Sequence, residues 1–115
     1  MNMQLEMFTR TNRFDAWKAF HRDNPAVFGL FRRFAMEALN KGRRRLGARM
    51  IGERIRWHTG VETIGDEFKI NDHFWPYYSR LLAGLDDRFK TFFTFKDDRF
   101  DATRAEIVAY HRSLS

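Results

Sequence analysis

Lys41-Gly42-Arg43-Arg44-Arg45 gathers four cations into five residues around a glycine, a spacing suited to neutralising a row of phosphates. The cluster is the densest part of a longer basic stretch. Between Arg32 and Arg56 lie nine Arg or Lys (Arg32, Arg33, Lys41, Arg43, Arg44, Arg45, Arg49, Arg54 and Arg56) against two acids, Glu37 and Glu53. The chain's net charge is +6, so all of its excess positive charge sits in that segment. Such a concentration implies a polyanionic partner, nucleic acid above all. The competing explanation is a charged surface and interhelix loop that only solubilise the protein.

Other chemistry is poorly supported. The four histidines, His21, His58, His73 and His111, show no metal-ligand spacing, and there is no Cys to complete a site. His21 sits among aromatics and is read as a packing or hydrogen-bonding residue. Asp86-Asp87 and Asp97-Asp98 are acidic pairs that could hold a hard cation, yet adjacent acids more commonly cap helices and turns, and no base accompanies them. With no nucleophile–base pair and no phosphate-binding loop, no enzymatic activity, cofactor or metal is expected.

The elements that must position these residues are read as helices. Residues 13–22 form a short helix with Phe14, Trp17, Phe20 and His21 on one side, after a loosely held lead-in of a dozen residues. Asn24-Pro25 starts a second, Asn24 as a cap and Pro25 in the first turn, and Gly42 stops it. Its core face carries Val27, Phe28, Phe31, Phe34, Ala35, Ala38 and Leu39. Residues 47–58 make a third helix, with Ala48, Ile51 and Ile55 in one apolar group and Met50 and Trp57 in another beside it. Arg54 falls between them, either reaching past the apolar surface or pairing with an acid such as Glu37. Residues 59–69 read as a loop, with a very short strand at Phe68-Lys69-Ile70.

Asn71 or Asp72 caps a helix running to about Ala83, with Phe74, Trp75, Tyr78, Leu81, Leu82 and Leu85 on one side and His73, Pro76, Tyr77 and Arg80 on the other. Asp86-Asp87-Arg88 starts one more turn, Phe92-Phe93-Thr94-Phe95 is β-prone, and Thr103 to Glu106 fits a capping box that opens a terminal helix. These elements predict a mainly α, compact domain of three to five helices over residues 1–115, with residues 97–115 as a C-terminal helical extension. A helix-turn-helix or winged-helix arrangement with one or two short strands is the finer expectation.

In that arrangement Asn71, His73, Tyr77, Ser79 and Arg80 face base edges or phosphates, and the 92–95 stretch stands where a wing belongs. Lys41, Arg43, Arg44, Arg45, Arg49 and Arg56 grip the backbone. The dozen residues between the 47–58 and 71–83 helices are longer than the usual motif allows. Trp57, Trp75, Tyr77 and Tyr78 could stack unpaired bases; Trp75 and Tyr78 point to the core, and Tyr77 is the aromatic expected to be exposed for it.

Hydrophobic residues make up 43% of the 115 and aromatics 17%, enough for a real core. No apolar run approaches the roughly 20 residues that span a bilayer, and the first residues lack the pattern of a secretion signal. A cytoplasmic protein with no membrane association is expected; its oligomeric state is open.

Two runs carry a resemblance. Phe14-Asp15-Ala16-Trp17-Lys18-Ala19-Phe20-His21, continuing to Asn24-Pro25 and Phe28, is one. Arg56-Trp57, then Phe68-Lys69-Ile70-Asn71 and Tyr78-Ser79-Arg80-Leu81-Leu82, is the other. Over residues 14–95 the chain resembles a group of small bacteriophage and prophage-associated proteins that have no established activity. The resemblance implies a phage or mobile-element origin. It also implies either a DNA-binding accessory protein or a factor that binds and modulates a host protein, such as part of an antiviral defence complex.

Overall fold

The structure, a computed structural model, describes residues 2–62 and 70–115, with side chains for 13–59, 70–98 and 100–115. It contains five α-helices among the described residues: α1 (Asn2–Asp23), α2 (Pro25–Asn40), α3 (Ala48–Glu62), α4 (Trp75–Leu85) and α5 (Arg104–Ser113). Three single 3-10 turns, Asp72–Phe74, Asp87–Phe89 and Asp97–Arg99, lie in the connections around α4.

Local chemistry explains most of the boundaries. Pro25 occupies the first turn of α2, where no N–H is missed. Asn24 does not cap α2 as expected: its side-chain Nδ2 and its backbone N–H both donate to the Phe20 carbonyl, at 3.0 and 2.8 Å, so it closes α1 instead. α2 ends in a Schellman arrangement. Gly42 takes φ 90°, its N–H donates to Leu39 and that of Arg43 donates to Ala38. Asn71 accepts the His73 N–H at 3.0 Å, and Asp86 accepts that of Arg88 at 3.1 Å. Thr103 and Glu106 form the reciprocal capping box at the start of α5.

Three expectations are corrected. The first helix is not limited to 13–22, because α1 begins at Asn2. The third continues past His58 to Glu62, and the remainder of the expected loop, 63–69, falls outside the described residues. Phe92 to Phe95 is no wing, and no strand occurs among the described residues. Phe92 and Phe93 are buried, with Phe89 edge-on to Phe92 and Phe93 against Phe31, so they plug the core from an irregular segment. Their apolar bulk is satisfied by packing rather than by a ladder. The short strand expected at Phe68 and Lys69 falls outside the described residues; Ile70 is buried but not in a strand.

α4 lies at the centre. On one side Trp75 and Tyr78 meet Phe31 of α2, and Ile51 and Ile55 of α3 join the same core. On the other, α5 packs along α4 through Ile107 and Val108. Trp17 of α1 stacks on Tyr77 at 5.4 Å between ring centroids, and Phe14 extends the stack.

A partly buried polar contact ties α1 to α5. His21 Nε2 lies 2.8 Å from Nδ1 of His111, while His21 Nδ1 is 3.3 Å from the Tyr78 hydroxyl. With Tyr78 donating to Nδ1, the His21 Nε2–H donates to His111, an arrangement that requires neutral imidazoles. Burial first, and then His111, lower the His21 pKa from 6.5 to about 4; burial and then Arg112 lower that of His111. Because the folded pKa is depressed for a base, the unfolded chain binds more protons in this interval, and stability falls as pH drops from 6.5 toward 4. The melting temperature is expected to decline through that window, and His21→Gln to flatten the decline. An unchanged wild-type melting temperature across the window would contradict this.

Candidate nucleic-acid interface

The basic turn is held at both ends. The Schellman bond fixes Arg43 to Ala38, and the Leu46 N–H donates to the Phe92 carbonyl at 3.1 Å, while the Leu46 side chain packs against the core. Arg43, Arg44 and Arg45 lie exposed between these anchors. They form no ion pair or side-chain hydrogen bond among the described residues. Lys41 is also exposed, with Nζ 3.6 Å from Glu37, a loose pairing at a solvated surface.

α3 continues from the turn and presents an unexpected face. Ile51, Gly52 and Ile55 are buried, which directs the opposite side to solvent. Met50 and Trp57, seven residues apart and so nearly superposed along the helix, occupy the centre of that side. They are 61% and 75% exposed. Arg49 and Arg54 flank them. Arg54 pairs with Glu37 through Nη2 at 3.0 and 2.9 Å and covers the Phe34 ring at 4.2 Å, in agreement with its expected acid partner.

Arg56 is engaged structurally. Its guanidinium donates to Glu53 at 2.7 Å, to the Ile70 carbonyl at 3.0 Å and to Asp72 at 2.6 Å, pinning the start of the α4 region to α3. Asp72 also accepts from the Trp75 indole and lies 3.9 Å from Arg49. The Arg56 hydrogen bond, then that from Trp75, hold the Asp72 carboxyl below the usual carboxylate range, so it stays ionised and offsets part of the local positive charge. His73 is exposed on the same 3-10 turn, beside this Arg–Asp–Arg group.

Tyr77 and Arg80 do not join them. The outward face expected for α4 is covered by residues 95–101 and α5, and the two side chains are 2% and 3% exposed; Ser79 is buried too. The Tyr77 hydroxyl donates to Asp101, which also accepts the Phe14 N–H. Burial, reinforced by Asp101, raises the Tyr77 pKa, so the phenol remains protonated. Arg80 donates from Nε to Asp97 at 2.8 Å and from Nη1 to the Pro76 carbonyl at 3.1 Å. Its guanidinium lies 3.6 Å from the Phe100 ring centroid. Both residues have long apolar bodies and a polar tip, so they can be buried once an acid meets the tip.

Arg80→Ala is accordingly expected to lower stability by about 2–3 kcal/mol through the lost charged hydrogen bond and ring contact, while leaving surface binding by the folded protein unchanged. Asp97 is exposed and rehydrates, which keeps the loss below that of a fully buried pair. Chemical denaturation beside a binding titration checks both halves of this statement.

Within the acidic pairs, Asp86 caps its turn and binds Arg88, Asp87 lies 3.0 Å from Lys90, and Asp97 binds Arg80. Among the described residues, no group of His, Asp and Glu is arranged to hold a metal ion, and no helix is long and apolar enough to cross a membrane. Among the aromatics that could stack a base, the exposed one is not Tyr77, which the sequence favours, but Trp57, at 75%. The signal was there in its position opposite Ile51 and Ile55, but an exposed indole runs against the usual burial of apolar bulk. No protein-family model, curated protein or solved structure matches this chain.

Proposed function

We propose that this protein binds nucleic acid through the surface formed by α2, the turn 41–47 and α3. The basic turn holds phosphates, and α3, rather than α4, is the presented helix. The observation that carries this reading is the row Arg43, Arg44 and Arg45: adjacent, exposed, without acid partners among the described residues, and anchored by backbone hydrogen bonds on both sides. Cations held in this way are not tied up in intramolecular pairs, and the anchored backbone beneath them needs little ordering on contact with a polyanion. Arg49 extends the row along α3, and Lys41 extends it toward α2. Arg56 and His73 border the surface, with Arg56 positioning it rather than gripping phosphate.

Contacts from Lys41, Arg43, Arg44, Arg45 and Arg49 would give log K a slope of about −4 against log salt concentration. The test is a fluorescence-anisotropy titration of labelled DNA and RNA at several ionic strengths. Binding with such a slope supports the reading, and absence of binding at low salt overturns it.

A further inference from the structure

Resting on that nucleic-acid reading, we infer that the ligand is single-stranded, or locally unpaired, and that an unpaired base stacks on Trp57. The chain has three tryptophans. Trp17 and Trp75 are buried to 0% and 1% exposure, whereas Trp57 stands 75% exposed at the centre of the solvent side of α3, one helical stripe with Met50. The stripe has Arg54 along one flank and Arg49 with Glu53, itself paired with Arg56, along the other, and its Met50 end lies next to the Arg43–Arg45 turn. Cations along one end and one flank of a flat aromatic surface match a strand that offers phosphates on one side and bases on the other.

The same face is poorly suited to reading a duplex. Base-edge recognition needs directional donors and acceptors; at the centre of this face an indole ring and a thioether offer at most a weak acceptor, and Arg54 beside them is engaged by Glu37. Of the polar side chains expected to read base edges, Tyr77, Ser79 and Arg80 are buried in α4, and the exposed Asn71 and His73 lie on the turn before α4 rather than on α3. Within a duplex the flat face of each base is already covered by its neighbours, so only an unpaired base is free to stack. Stacking is indifferent to base identity, and weak sequence preference follows.

The experiment titrates the full chain and its Trp57→Ala and Trp57→Phe variants with a labelled strand of about 20 nucleotides, long enough to cover a typical single-strand site, and with the corresponding duplex, at one salt concentration. Both substitutions are at an exposed position and should leave the melting temperature unchanged. The wild type should prefer the single strand. Trp57→Ala should weaken that binding by roughly tenfold or more, with Trp57→Phe intermediate. Quenching of tryptophan fluorescence on binding should disappear in Trp57→Ala.

Equal affinity for strand and duplex, untouched by Trp57→Ala, overturns stacking while leaving nucleic-acid binding intact. Loss of self-association in Trp57→Ala without loss of strand binding also overturns it and assigns the face to a second copy of the chain. No binding to either form removes both this inference and the reading beneath it, and points to a protein partner.

Discussion

Gly52→Ala is expected to destabilise the protein, although alanine is the better helix former. A Cβ at position 52 would fall inside the van der Waals envelope of the Trp75 indole, against Cε2, Nε1 and Cδ2. That ring has no room to retreat: it stacks on Phe31, meets Tyr78, and its Nε1 donates to Asp72 at 3.2 Å. Overpacking of this kind costs typically about 1–3 kcal/mol, and a rigid neighbour puts it at the upper end. Helix propensity returns about 1 kcal/mol, leaving a net loss of about 2 kcal/mol. For a chain of this size that corresponds to a fall in melting temperature of about 8 °C.

Gly29 provides the internal control. It lies on the exposed side of α2, and an alanine methyl there would meet nothing within 4 Å, so Gly29→Ala should stabilise by about 0.5–1 kcal/mol. Opposite signs at two helical glycines would show that the approach of α3 to α4 is limited by the indole. If both substitutions stabilise, that close packing is not present.

Replacing Arg43, Arg44 and Arg45 together by Ala should have the largest effect on function and little on stability. All three are exposed and none makes a side-chain hydrogen bond or ion pair among the described residues, so removal forfeits no such interaction and relieves mutual repulsion. On the phosphate-contact reading, affinity falls roughly ten- to a hundredfold and the salt slope becomes shallower by about 2–3. The triple Lys variant keeps the charge and should retain most of the binding, which separates electrostatics from any guanidinium-specific geometry. A triple Ala variant that binds as tightly as wild type, with the same slope, would place the phosphate contacts elsewhere on the chain.

Much of the helical architecture was legible in the sequence because its signals act over a few residues. Pro25 opens α2, Gly42 closes it in a left-handed conformation, and Thr103 with Glu106 caps α5; each effect depends on groups within one turn. The pairing of Arg54 with Glu37 could be anticipated because Arg54 falls between two apolar groups on its helix and must reach past them or meet an acid. The concentration of charge around residues 41–45 needs no structure at all.

What tertiary structure decided was which surfaces remain open. Tyr77 and Arg80 read as outward-facing because a helical wheel sorts side chains by polarity, yet their acceptors, Asp101 and Asp97, come from residues 24 and 17 positions later. Phe92 to Phe95 reads as β-prone but has no partner strand among the described residues; Phe92 and Phe93 take places in the aromatic core instead. Trp57 reads as apolar, but once Ile51 and Ile55 face the core, helical geometry turns the indole to solvent. Composition and local capping thus set where the helices and the charge lie. Burial of a side chain with an apolar body and a polar tip depends on what distant segment arrives to meet it, and only the folded chain brings that segment into place.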